Sequence, residues 1–179
     1  MIIQNIVIPE GSILKKSIVS FDYTDSFKGE IPNSNSGFDI ITAGRLFISS
    51  GPAWADNLMA IRDKAAGLFG LKTSADLNEE QNKSDNLKFE PGEQLGIFKL
   101  FDKTDNELIL GENDKHLSFR VSVLLNFTRE NKKELSLTTC VKYHNFFGRL
   151  YFLPVKPIHK LIVKSTLKNI IYKAVNTVR

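Results

Sequence analysis

A single cysteine, Cys140, is all the thiol this chain carries. With nothing in the chain to pair with, it excludes an internal disulfide, and a reducing, cytoplasmic compartment is the expected location. Long apolar runs are missing too: no stretch approaches the roughly 18 apolar residues of a membrane span, so no transmembrane segment is expected. The first nine residues have no basic start, and Gln4 and Asn5 break their apolar stretch, so a first strand is expected there and not a signal peptide. No Gly-x-Gly-x-x-Gly phosphate loop occurs, and no pair of carboxylates is placed for acid-base work. The acids gather in turns, as at Glu79 and Glu80 or from Asp102 to Asp105, where solvation accounts for them.

Acid is also lacking from one whole region. Residues 135 to 179 hold 8 Lys and Arg and no Asp or Glu, for +8, whereas residues 1 to 134 hold all 20 acids and 16 bases, for −4. Such a basic end is either a solvated helix face or a docking surface for phosphate, an anionic membrane or a protein partner. Nucleic acid is not expected as a partner, because the bases lack the arginine and aromatic interleaving of its binders.

What is present suffices for a core. The chain is 42% apolar and 25% charged, close to the average for globular proteins, and 179 residues fit one domain, 1–179. Thirteen Phe against two Met make the interior aromatic, suited to tight packing or to a cavity walled by rings.

Periodicity places the elements. Residues 18–27 alternate large and small or polar side chains, as a strand does. A loop follows over Gly29 to Gly37, ending at Ser36 or Asp39 as a helix cap, before short helices at 40–48 and 53–69. In the second, Trp54, Leu58, Ile61, Ala65 and Leu68 share a face. Residues 72–92 form a polar excursion or lid. Strands at 94–101 and 107–110 pair around Lys103 to Asn106. The clearest alternation is in 116–127, with Leu117, Phe119, Val121, Val123, Leu125 and Phe127 on a dry face, and is repeated at 135–143 by Leu135, Leu137, Thr139, Val141 and Tyr143. Consecutive hairpins predict an antiparallel sheet with one face open to water. Beyond Pro154 and Pro157 the chain runs as a helix with Val163, Leu167, Ile170, Ile171, Ala174 and Val178 on one side, and this helix is expected to cover the dry face. The fold class is therefore α+β.

This order resembles the helix-grip fold of the START-like and polyketide-cyclase-like superfamily: a curved antiparallel sheet of five to seven strands, two short helices and one long C-terminal helix. Asp22-Tyr23-x-Asp25-x-Phe27, Pro52-x-Trp54 with Arg62-Asp63, Gly92-x-x-x-Gly96-x-Phe98, Glu107-Leu108-x-Leu110-Gly111-Glu112-x-Asp114-Lys115-His116-Leu117, Thr138-Thr139-x-Val141, His144-Asn145-x-x-Gly148-Arg149-x-Tyr151 and Pro157-x-His159 together resemble an uncharacterised bacterial family classed as a domain of unknown function. The resemblance implies a fold and no established activity. Relatives joined to a nucleotide-binding, dehydrogenase-like domain make a dehydrogenase-like protein partner the expected source of any redox role.

The candidate ligand-binding residues are Tyr23, Trp54, Arg62, His144, Arg149, Tyr151 and His159. Arg149 offers a forked donor for a carboxylate or phosphate, with Tyr151 and His144 presenting polar tips on apolar bodies beside it. The alternative is an Arg149 locked onto Asp22, Asp25 or Asp114. Arg62 suits an anionic head group and Trp54 an apolar wall, against the ordinary reading of an arginine capping a core tryptophan. His116, His144 and His159 lack paired metal-ligand spacing, and strand phase puts His116 on the wet face, as it does Cys140. No metal, cofactor or catalytic residue is assigned. The expectation is a protein holding a small, largely apolar molecule, with an acidic end in one version, between the sheet and the C-terminal helix. The competing expectations are a cyclase or hydratase using His144, Tyr151 or His159 in the same cavity, and a docking module built on the basic helix.

Overall fold

The computed structural model describes residues 2–5, 7–16, 20–31, 37–51, 87–128 and 132–176. Seven strands, β1 (Ile2–Asn5), β2 (Tyr23–Ile31), β3 (Gln94–Leu95), β4 (Phe98–Lys103), β5 (Glu107–Asn113), β6 (Leu117–Phe127) and β7 (Lys133–Tyr143), form one sheet in the order β1-β2-β7-β6-β5-β4-β3. Every neighbouring pair is antiparallel. Helix α1 (Ile40–Ser49) and the long helix α2 (Phe146–Asn176) cover one face: α2 packs on β2 and β7, α1 on β5 and β6, and the two helices touch. The α+β class and the covering helix are as expected.

Register makes that inner face dry. Tyr23, Val141 and Phe119 form one cross-strand row, Asp25, Thr139 and Val121 the next, and Phe27, Leu137 and Val123 a third. Phe27, Ile31, Leu135 and Leu137 share a core with Val163, Leu167, Ile170 and Ala174 of α2, all buried. Side chains at alternate strand positions reach the helix, and their counterparts on α2 recur at helical spacing. Asp39 caps α1 as anticipated, its carboxylate accepting from the Thr42 N–H at 2.8 Å and so held below the usual carboxylate range. At the other end of α1, Asn169 and Lys173 of α2 donate to the carbonyls of Ser50 and Ser49, both at 3.1 Å, supplying partners for groups that the helix leaves open.

Several boundaries differ from those expected. β2 begins at Tyr23 and runs to Ile31, into the span read as loop, because it has β7 to pair with along its whole length. The strand expected over 94–101 is two strands, β3 and β4, folded back on each other at Gly96, whose φ of 64° is one that glycine tolerates. Helix α2 starts at Phe146 and contains both Pro154 and Pro157, so it begins before the prolines and not beyond them. The helix expected at 53–69 and most of the 72–92 excursion lie outside the described residues. Within 87–92, Phe89 is fully buried in the main core with φ of 56°, and the Arg45 guanidinium lies 5.4 Å from its ring.

The outer face is not simply open to water. Residues 7–16 cross it, with a short 3-10 turn at Ile13–Lys16. Leu14 packs there with Ile109 and Cys140, joined by Ile8, Ile13, Phe21 and Phe101. Cys140 is thus buried rather than wet, and burial pushes its thiol up to about 11. The anchor is Glu107, fully buried. It accepts from the hydroxyls of Ser12 and Ser122 and, at 2.7 Å, from the N–H of Ile13.

Candidate functional site

The inner face carries buried polar side chains in one cross-strand row, beneath the N-terminal half of α2. Asp25 of β2 and Thr139 of β7 are cross-strand partners in the row between two apolar rows, and they are 1% and 2% exposed. His159 of α2 lies above them, its Nε2 3.6 Å from Asp25 Oδ1. The Tyr23 hydroxyl, two residues along β2 on the same face, donates to the other carboxylate oxygen, Asp25 Oδ2, at 2.6 Å.

Around this cluster the walls are aromatic. Phe152 of α2 meets the Tyr23 ring edge-on at a centroid distance of 4.9 Å and the Tyr143 ring at 5.7 Å, and it lies 6.5 Å from the His159 ring. Leu117, Val141 and Phe152 form the buried heart of this group, with Tyr151 and Val155 packed on it. Lys156 holds its ammonium 4.8 Å from the centre of the Tyr23 ring, and the Arg149 guanidinium lies 5.8 Å from that of Tyr143. The cluster therefore has a buried polar centre packed among aromatic rings, with two basic groups at its edge.

Burial raises the Tyr23 phenol far above its ordinary value, with the bond to Asp25 and the charge of that carboxylate adding to the effect. Tyr143 is raised as well, by burial first and by Asp22 second. Both phenols are held as donors. The centre is incompletely satisfied: Asp25 Oδ1, Thr139 Oγ1 and His159 Nε2 are buried with no hydrogen-bond partner among the described residues. A buried polar atom left in that condition costs about 1–3 kcal/mol. Three such atoms on adjacent residues can take one small polar group by both donating to it and accepting from it.

The start of α2 is fixed to the sheet by its own motif. Asn145 caps the helix, its Oδ1 accepting from Gly148 N at 3.1 Å, and its amide pairs with His116 Nδ1 at 2.9 Å. A side chain on Gly148 would bring a Cβ to 2.0 Å from the His116 carbonyl, so only glycine lets the helix approach the β5–β6 turn this closely. His144 N donates to the same carbonyl at 2.9 Å.

Residues 17–166 match the family described as Protein of unknown function (DUF2867). The chain belongs to that family. The DUF2867 match spans Tyr23, Asp25, Thr139 and His159 alike. No curated protein matches the chain.

Within this DUF2867 chain, Tyr23, Tyr151 and His159 come together on or beside the cluster, with Arg149 at its rim. His144 does not join it: it is exposed, with Nε2 2.7 Å from Ser118 Oγ. Trp54 and Arg62 lie outside the described residues. Arg149 is exposed over Tyr143, while Asp22 takes the N–H of Tyr143 at 2.8 Å and the Lys142 ammonium at 3.5 Å. His116 precedes β6 and is buried against Asn145 and the Phe147 ring, so strand phase does not govern it. The three histidines thus make separate contacts. Sequence reasoning missed Asp25 and Thr139 as site residues, although both stand in step with the apolar residues of their strands.

Proposed function

We propose that this protein binds a small, largely apolar molecule beneath the N-terminal half of α2, with a hydroxyl of that molecule seated between Asp25, Thr139 and His159. The observation carrying this reading is three buried polar atoms without a hydrogen bond, gathered at one place between apolar rows. Interiors pair their polar groups, and unpaired ones are kept where they serve something other than stability. A hydroxyl donates to Asp25 Oδ1 and accepts from Thr139 or the imidazole, giving these atoms the partners that the fold does not supply. Tyr23, Tyr143 and Phe152 then flank the apolar body. An acidic group on the same molecule fits only at the edge, beside Lys156 and Arg149, because Asp25 repels it from the centre. The arrangement of sheet and covering helix accords with a helix-grip domain, whose ligands lie between those layers.

Native mass spectrometry of freshly purified protein tests the proposal, with extraction of any bound molecule. An adduct that is apolar, carries a hydroxyl and is lost in Asp25→Asn is the expected result. Wild-type protein that neither carries nor accepts any such molecule overturns it.

One observation favours a second reading, an enzyme of the cyclase or hydratase kind. His159 and Asp25 stand as an imidazole and carboxylate 3.6 Å apart, close enough for the carboxylate to stabilise the imidazolium formed when His159 takes a proton from a bound substrate. Turnover of an extracted ligand by wild-type protein but not by His159→Gln separates catalysis from simple holding.

A further inference from the structure

The outward side of α2 differs from the inward side that covers the cluster. From Phe146 to Leu161 the solvent face of the helix is apolar. Phe146, Phe147, Leu150, Leu153, Ile158 and Leu161 are between 36% and 70% exposed, and the two helix prolines fall on the same face, both exposed. At 1.5 Å per residue this stripe is about 22 Å long. Single exposed leucines need no explanation, but a contiguous stripe of this length on one helix face marks an interaction surface.

The charge beside the stripe restricts its partner. Arg149, Lys156 and Lys160 border it along one edge at helical spacing, and Lys164 and Lys168 carry the basic face onward; residues 135–179 contain no acid to offset them. A second copy of this chain docking antiparallel through the same face by two-fold symmetry sets each basic edge beside that of the other copy. An anionic lipid surface meets both features, with the apolar side chains entering the headgroup boundary and the bases facing the lipid phosphates. Lys173 is already engaged with α1 and takes no part.

We infer that the outer face of the N-terminal half of α2 docks this protein onto anionic membrane surfaces, lying in the interface rather than spanning it. No described helix is long and apolar enough to cross a membrane. This inference needs no bound ligand, although Arg149 and Lys156 border both the stripe and the proposed ligand site.

Flotation with vesicles of phosphatidylcholine alone, or mixed with phosphatidylserine, tests it on the full chain. Binding to the mixed vesicles is expected to exceed binding to neutral ones at least about tenfold at low salt and to fall as salt rises. The exposed pair Leu150→Ser with Leu153→Ser should abolish binding, and Lys160→Glu with Lys164→Glu should remove the preference for anionic lipid, both with unchanged circular dichroism. Equal binding to both vesicle types, or none to either, overturns the proposal. So does a wild-type dimer by light scattering that the leucine double variant turns into a monomer, which would assign the face to a second copy.

Discussion

Two buried carboxylates sit on opposite faces of the same sheet and are treated in opposite ways. Glu107, on the outer face, has both oxygens engaged, by the hydroxyls of Ser12 and Ser122 and by the N–H of Ile13. Asp25, on the inner face, has one oxygen on Tyr23 and the other opposite His159 without a hydrogen bond. The first arrangement is a lock: it ties residues 7–16 across the outer strands. In the second, a carboxylate has been taken out of water and left with spare capacity, a condition that folding alone disfavours. Burial by itself says nothing about purpose; the two carboxylates differ in whether their hydrogen bonds are complete.

The contrast breaks most visibly through Glu107. Glu107→Ala should lower unfolding free energy by about 3–5 kcal/mol, since it strands two hydroxyls and an N–H at once, and urea unfolding reads this directly. Asp25→Asn should change stability by no more than about 1 kcal/mol while weakening ligand binding at least about tenfold, or about 1.4 kcal/mol. If it unfolds the protein as Glu107→Ala does, the two carboxylates are alike and the distinction fails. Thr139→Val removes a buried hydroxyl that has no partner and keeps the shape, so a gain of about 1 kcal/mol is expected in the empty protein; a loss of that size would mean the hydroxyl is satisfied.

The smallest effect concerns Cys140. Burial favours its thiol over the thiolate in the folded state, so its contribution to stability is present below the ordinary thiol value and is lost as pH rises toward about 11. Native protein at pH 8, well below that value, should resist Ellman's reagent and react once unfolded. Fast native reaction would show the outer layer to be open.

Much of the fold was legible because the inner face repeats a simple alternation. Leu117 to Leu125 and Leu135 to Tyr143 announce β6 and β7, Asp39 announces the start of α1, and Val163 to Ala174 announce the covering half of α2. The outer face was not, since its cover depends on one glutamate meeting a serine 95 residues away, a pairing that no local pattern encodes. The beginning of α2 was hidden by Pro154 and Pro157, residues that ordinarily end a helix; here Asn145, His116 and Gly148 secure the turns before them. Of the site, the aromatic and basic members were visible by type. Asp25 and Thr139 had a signal of another kind, polar residues in phase with apolar neighbours, and that signal acquires meaning only once register shows them side by side.

The two prolines bear on how rigidly α2 covers the sheet. Each lacks the N–H that would bind the carbonyl four residues earlier, so the ladder is missing two rungs, at Leu150 and Leu153. The missing rungs lie between the capped start of α2, held on the β5–β6 turn, and the long half seated on Phe27 and Ile31. Any bending of α2 is therefore easiest between its two anchored ends, in the turns that carry Phe152.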